Sequence, residues 1–268
     1  MFTLIICLLF AGLFAGMLLS VEIGRRIGLG TIRHNPDGLA KGINPVEGAV
    51  FGLLGLIIAF TFAGAESRFE HRRHLITEEA NAIVTAYLRI KLLPPDTQPE
   101  VRDLFRRYLD TRVAVYRNVE DEAGTKAILK KSAALQEEIW QKSITACERP
   151  DLPKHSGILV FTALNNMIDI TNTRATATID HPPLVILLLF FALSLISSML
   201  VGYNMSVNNR RFWFHPVAFA AIVSLTVFVI LDIEFPRRGL VRVDHADKPL
   251  IELRQSMQNS QQSNKTAP

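Results

Sequence analysis

The stretch from Gly48 to Leu93 constrains the fold more than any other part of the chain. Residues 48–65 carry no charged side chain, and as a helix they extend about 27 Å, enough to cross the hydrocarbon core of a bilayer. Residues 66–93 are rich in charge but contain no Gly or Pro, so nothing ends the helix at Glu66. We therefore predict one helix that leaves the membrane and continues into water until Pro94-Pro95 ends it.

The other apolar residues, within a chain that is 49% hydrophobic, concentrate in three further blocks. The fold predicted is all-α, with four transmembrane helices and a helical bundle inserted between spans two and three. The first membrane hairpin covers residues 1–65, with spans at 2–20 and 48–65 joined by a loop at 21–46. A helical insert follows at 66–182, and a second hairpin at 183–233 has spans at 183–203 and 216–233. Residues 234–268 form a tail whose polar end, from Gln255, is predicted to be disordered.

Small residues recur three or four positions apart on the first two spans. Gly12 and Gly16 form one such pair, and Gly48, Gly52 and Gly55 form a similar face on span two. Small faces let membrane helices approach closely, within or between subunits. Glycine is also simply more frequent in membrane helices than in soluble ones, so both interpretations stay open.

Four spans place both termini and the insert on the same side of the membrane. Lys and Arg near the span ends number eight on that side and six on the other, which favours a cytoplasmic insert and cytoplasmic termini in an inner (plasma) membrane. The eight are Arg68, Arg72, Arg73, Arg174, Arg237, Arg238, Arg242 and Lys248; the six are Arg25, Arg26, Arg33, Lys41, Arg210 and Arg211.

The insert reads as about four helices. An apolar stripe at helical spacing runs from Val101 to Val115 and is interrupted only by Arg112. Two polar sets are predicted to hold bundle helices together, with an ion-facing surface as the alternative. They are Asn81 with Thr85, and Asn165, Asn166, Asp169 and Asn172.

The sequence offers no signature of an enzyme. It lacks a phosphate loop, a Rossmann glycine pattern, a G-x-S-x-G motif and metal-binding Cys/His spacing. His71, His74 and Glu78 share one helix face and offer a metal site as a minority interpretation, but the intervening arginines favour a solvated basic surface. We therefore predict no catalytic residue, no metal and no cofactor. The net charge of +4 gives no reason to expect a nucleic acid partner.

Four segments together resemble the bacterial bestrophin-like family. They are GLLGLIIAFTFAGAESRFEHRR up to Arg73, EEANAIVTAYLR at 78–89, LNNMID at 164–169 and LDIEFPRRGLVRVDHADKPLIELRQSM at 231–257. The family is distantly similar to bestrophins, which are pentameric anion channels with four spans, cytoplasmic termini and a helical cytoplasmic domain. The resemblance therefore implies a homo-oligomer, a pentamer by analogy, that passes anions such as chloride across the lipid bilayer.

The resemblance also suggests a pore. In bestrophins the second span lines an apolar neck with bulky residues at every fourth position, and Leu54, Ile58 and Phe62 match that spacing. Such a neck can gate by dewetting, and Arg68, Arg72 and Arg73 below it would attract anions as a collar. The chain lacks an acidic calcium-binding cluster beside span four, so calcium gating is not implied. The alternative function is a non-conducting membrane scaffold or sensor whose helical bundle binds a partner.

Overall fold

The computed structural model describes residues 2–34, 45–117, 122–206, 213–237, 239–240 and 247–266. All regular secondary structure in these ranges is helical, which confirms the all-α prediction. The helices are α1 (Phe2–His34), α2 (Pro45–Arg89), α3 (Gln98–Arg117), α4 (Glu122–Cys147), α5 (Lys154–Ile179), α6 (Leu184–Met205), α7 (Phe214–Glu234) and α8 (Lys248–Thr266), with a short 3-10 turn at Ile90–Leu92. The four long apolar helices predicted from the sequence are α1, α2, α6 and α7.

Helix α2 is continuous over 45 residues, as the lack of a breaker at Glu66 predicts. The chain divides into two compact units, and the division on α2 falls after Phe69. The first unit comprises Met1–Phe69 and His181–Val241. The second comprises Glu70–Asp180 and Arg242–Pro268, so it includes the C-terminal segment as well as α3 to α5.

In the first unit, α1 packs along α6 and also contacts α7. The approach of α1 to α6 is close enough for backbone contact. A Cβ added at Gly24 would lie 1.9 Å from the Met199 carbonyl oxygen, and one at Gly202 would lie 1.9 Å from the Val21 carbonyl oxygen. Only glycine fits at these two crossing points, since any side chain would overlap the facing backbone.

The loop predicted for residues 21–46 is wrong over its first part, because α1 continues to His34. Glycines in this segment suggested a break, but Gly24 faces α6 and serves the close helix contact. The charged residues also pair along the helix, with Arg26 Nε donating to Glu22 Oε1 at 3.0 Å. Residues 35–44 of the predicted loop lie outside the described residues.

In the second unit, α3 packs against α4 and α8, and α4 packs against α5. Its apolar core takes residues from all of these helices and from α2; Ile83, Phe105, Ile139, Met167 and Leu250 are each at most 2% exposed. The prediction of disorder from Gln255 onward is wrong as far as Thr266, because helix α8 extends to that residue. Leu250 and Met257, two helical turns apart, bury one face of α8 and explain why a polar composition still folds here.

Candidate functional site

The predicted neck residues do not share one exposed face of α2. Leu54 is 2% exposed and packs inside the subunit with residues such as Leu13 and Met17. Ile58 is half-buried, and Phe62 is 38% exposed. The reason is geometric: a four-residue step turns a helix by about 400°, so each successive member of the stripe moves about 40° around the axis. The stripe therefore begins on the buried face of α2 and ends at its exposed face.

The centre of the exposed α2 face carries small residues and two large apolar ones. Phe60 is 69% exposed and Leu56 50%, and both alternate with exposed glycine and alanine. A Cβ added at Gly48, Gly52 or Gly55 would meet nothing within 4 Å. The close helix contact expected for this face is therefore absent within the described part of a single chain. A Cβ added at Gly12 likewise meets nothing within 4 Å. The closest helix contact is instead made by Gly24 and Gly202, where α1 crosses α6, and the four-residue spacing did not identify them.

Arg68, the first member of the predicted collar, is engaged by a carboxylate of the same unit. Its Nε lies 3.0 Å and 3.1 Å from the two carboxylate oxygens of Glu234, and its Nη2 donates to Glu234 Oε2 at 2.8 Å. His181 Nδ1 lies 3.0 Å from Glu234 Oε1. The Glu234 side chain is only 4% exposed, and it ends α7. The contact brings the middle of α2, the C-terminal end of α7 and His181 to one place.

Arg72 and Arg73, which belong to the second unit, have different surroundings. Arg72 is 8% exposed and donates to backbone carbonyls at the end of α5, namely Ala177 O at 2.9 Å and Asp180 O at 2.7 Å. These carbonyls lack helical partners, so a guanidinium satisfies them well. The Arg73 side chain is 56% exposed and pairs with Glu70 at 3.1 Å. Of the three predicted collar arginines, Arg73 is thus the one with a largely exposed side chain.

The opposite end of the first unit has a polar contact of its own. Glu47, in the first turn of α2, is 7% exposed and accepts a hydrogen bond from Asn204 Nδ2 at 2.5 Å. Asn204 lies near the end of α6. The start of α2 and the end of α6 therefore lie at the same end of the first unit, and a carboxylate near a helix N-terminus is also favoured by the helix dipole.

The interior of the second unit contains a charged cluster that the sequence did not reveal as a unit. Glu79 is completely buried and is bound by Arg112, whose Nε lies 2.5 Å from Oε1, and by Arg174 through Oε2. Arg174 Nη2 also donates to Asp247 Oδ1 at 3.3 Å, just before α8. One signal was present, because Arg112 interrupts an otherwise apolar stripe. Its partner could not be found from the sequence, since Glu79 lies 33 positions away.

A neutral network lies in the same core. Tyr108 is completely buried, and its hydroxyl group lies 2.9 Å from Thr171 Oγ1 and accepts from Gln136 Nε2 at 3.1 Å. Burial raises the pKa of Tyr108 to about 12, with the carboxylate of Glu79 adding to the shift and the nearby Arg112 opposing it. The phenol therefore stays neutral at any physiological pH.

The two polar sets predicted to hold the bundle together are instead exposed in the second unit. Asn81 and Thr85 lie on the exposed face of α2, and Asn165, Asn166, Asp169 and Asn172 on that of α5. The prediction of bundle contacts is wrong for these residues, because the core helices pack through apolar side chains and the buried ion cluster. The alternative of an ion-facing surface stays a prediction.

The minority metal site is an ordinary surface pair. His74 Nε2 lies 3.2 Å from Glu78 Oε1, and both side chains are largely exposed. Among the described residues, no three His, Cys, Asp or Glu side chains are grouped as a metal ion requires.

Four apolar helices of membrane-spanning length, one of them continued by a water-compatible half, define an all-helical multi-pass membrane protein. A family model for the bestrophin-like domain matches residues 8–247. The chain therefore belongs to the bestrophin-like family, and the resemblance seen in the sequence is confirmed.

Solved structures show the same fold at low sequence identity. A crystal structure of a bacterial bestrophin homologue from Klebsiella pneumoniae carrying one substitution is 14% identical, with a TM-score of 0.61, over 90% of this chain and 98% of that one. A second mutant of that homologue gives the same identity and TM-score over 91% and 99% of the two chains. A crystal structure of a mutated membrane protein is 13% identical, with a TM-score of 0.63, over 91% and 98%. No curated protein matches the chain.

Proposed function

We propose that the chain is one subunit of a homo-oligomeric channel in which α2 lines the ion pathway. The observation that carries the proposal is α2 itself, a single 45-residue helix with an exposed apolar face in its first half and an exposed polar face beyond it. Residues 48–65 carry no charge and can form an apolar constriction, and the charged half of α2 that follows can line a path into water. Family membership supports a pore because bestrophins, to which the family is similar, are pentameric anion channels.

We place the constriction at Phe62 and Ile58. A residue that lines an oligomer's axis must be accessible in the isolated subunit, and Phe62 meets this condition. Leu54 packs inside its own subunit, so we assign it a supporting role behind the neck. Apolar rings of this kind close a pore by expelling water and bind no ion strongly.

We propose chloride or a similar anion as the permeant ion, as the resemblance implies. Arg73 is the arginine best placed to attract it, since its side chain is exposed just beyond the apolar half of α2. Arg68 and Arg72 contribute less to such an attraction, because their side chains are much less exposed than that of Arg73.

The proposed topology has four spans, with the α3 to α5 segment as an insert and both termini on the cytoplasmic side of the inner membrane. Two contacts within the first unit support it. Arg68, His181 and Glu234 meet, so the apolar half of α2 and helix α7 end, and α6 begins, at one membrane surface. Glu47 and Asn204 meet at the other surface. The excess of Lys and Arg near the first of these surfaces favours the cytoplasm.

The test is flux from purified protein reconstituted in vesicles, combined with the mass of the assembly in detergent. We expect a cyclic oligomer, chloride flux that increases in Phe62→Ala, and a shift of selectivity towards cations in Arg73→Glu. Lys130→Glu, the same charge reversal at an exposed position on α4, is the matched control and should leave selectivity unchanged. A monomer or dimer without flux would instead support the scaffold or sensor function.

A further inference from the structure

The contact between Arg68 and Glu234 has the features of a strong ion pair. Both Nε and Nη2 of Arg68 face the carboxylate at 2.8 to 3.1 Å. Forked guanidinium–carboxylate pairs are stronger and more specific in geometry than single contacts, and poor access to water strengthens them further. Glu234 is 4% exposed and Arg68 26%, so this pair is protected from solvent in a way that surface pairs are not.

The surroundings of Glu234 fix the carboxylate in position. The chain turns back directly after α7, with Gly239 N donating to Phe235 O at 3.2 Å and Leu240 N donating to Asp232 Oδ1 at 2.7 Å. The His181 ring packs on the Phe235 ring with centroids 4.7 Å apart. The end of α7 is therefore held on both sides of Glu234.

The α2 side of the contact is fitted to the guanidinium. A Cβ added at Gly64, one turn before Arg68, would lie 3.3 Å from Arg68 Nη1. This is tighter than ordinary van der Waals contact, so a glycine at this position gives the guanidinium room to lie along α2. The acceptor Glu234 is thus held in place on α7, and the donor Arg68 has room beside it along α2.

We propose that Arg68 and Glu234, with His181 as an auxiliary donor, form an ion-pair latch that holds the pore helix α2 in its resting position against α7. The regulatory part of this inference rests on the proposed function, because it takes α2 as the lining of the pathway. Breaking the latch leaves a buried charge without its partner and frees α2 to leave the resting position. Glu234 and Arg68 are positioning residues in this scheme and need not touch the ion.

The first test is flux. Glu234→Gln keeps the side-chain shape but removes the charge, and we expect resting flux to rise by roughly 5- to 150-fold, the usual range of coupling between two conformational states. Arg68→Lys keeps the charge but loses the fork, and should give a smaller rise. The charge exchange Arg68→Glu with Glu234→Arg should return flux towards the wild-type value. Glu78→Gln removes an exposed carboxylate from the same helix and is the control, with flux expected to stay unchanged.

The second test reads the position of α2 without any flux. Spin labels at Leu56 and Leu225, both exposed, report the distance between α2 and α7 once Cys7 and Cys147 are replaced by serine. Labelled subunits are diluted with unlabelled ones so that one chain is measured. We expect a narrow distance distribution in the wild-type chain and the exchange variant, and a broadened or shifted one in Glu234→Gln.

The two tests separate the latch from the channel. A broadened distance in Glu234→Gln with no flux from the wild-type assembly would keep the latch and reject the proposed function. Flux from the wild type, with Glu234→Gln matching Glu78→Gln in both flux and distance, would reject the latch. Should Glu234→Gln fail to assemble, Arg68→Lys decides in the same two assays, and an unchanged distance there overturns the latch.

Discussion

The crossing of α1 and α6 makes a prediction that the structure quantifies. In Gly202→Ala the new methyl group would lie 1.9 Å from the Val21 carbonyl oxygen and 2.6 Å from its carbonyl carbon. Backbone atoms cannot move aside as a flexible side chain can. The helices must therefore separate locally by about 1.5 Å, from 1.9 Å to the 3.4 Å at which ordinary contacts begin.

Two opposing effects set the magnitude. Overpacking a well-fitted contact typically costs about 1–3 kcal/mol, and separating the helices also loses dispersion contacts along the crossing. Alanine favours a helix over glycine by about 1 kcal/mol, which offsets part of this cost. We expect a net loss of about 1–2 kcal/mol for Gly202→Ala and a similar loss for Gly24→Ala. The double variant should lose less than the sum, because both glycines serve one crossing.

The assay is unfolding of the purified protein by SDS titration in mixed micelles, followed by circular dichroism. Gly12→Ala is the matched control on α1, since a Cβ there meets nothing within 4 Å. It should be neutral or slightly stabilising. If Gly202→Ala unfolded at the same SDS fraction as Gly12→Ala, the close crossing of α1 and α6 would be refuted.

Three further predictions concern the second unit. Glu79→Gln should destabilise the protein by about 3–5 kcal/mol in the same titration, because its two arginine partners stay buried, while the exposed Glu78→Gln should change stability by less than about 0.5 kcal/mol. Burial raises the pKa of Tyr108 from 10.0 to about 12. The stability that the neutral phenol contributes is therefore fully present below pH 10 and is lost between pH 10 and 12, because the phenol of the unfolded chain ionises first. Thermal unfolding of Tyr108→Phe should lack this loss. Met257→Asp should cost about 2–5 kcal/mol and release α8, seen as faster limited proteolysis of the C-terminal segment.

The sequence predicts the large elements well because strong and local signals specify them. The four apolar blocks and the absence of a breaker at Glu66 are properties of consecutive residues, and both are found in the structure. The end of α1 was predicted 14 residues too early, since a glycine-rich segment reads as a loop by composition. Gly24 contacts the backbone of Met199 on α6, and no pattern within α1 alone predicts that contact.

The orientation of α2 shows a second limit of sequence patterns. A spacing of four residues selects Leu54, Ile58 and Phe62 equally, yet the three differ in exposure because a helix repeats every 3.6 residues. Residues 48–65 of α2 carry no charge and Thr61 is their one polar side chain, so hydrophobicity does not distinguish the buried face from the exposed one. Only the packing partners supply that distinction, and they come from α1, α6 and α7.

The basic cluster on α2 shows that sequence patterns are limited for candidate functional residues as well. Arg68, Arg72 and Arg73 look alike as a basic cluster, but their partners are a carboxylate, two backbone carbonyls and a surface glutamate. The partner of Arg68 lies 166 positions along the chain, beyond the reach of any local pattern. A change of selectivity on replacing Arg68 would therefore be misread as loss of an anion collar unless the exchange with Glu234 were tested. Restoration by that exchange is a result that a latch predicts and a collar does not, because the exchange re-forms the ion pair but leaves a negative charge at position 68 on α2.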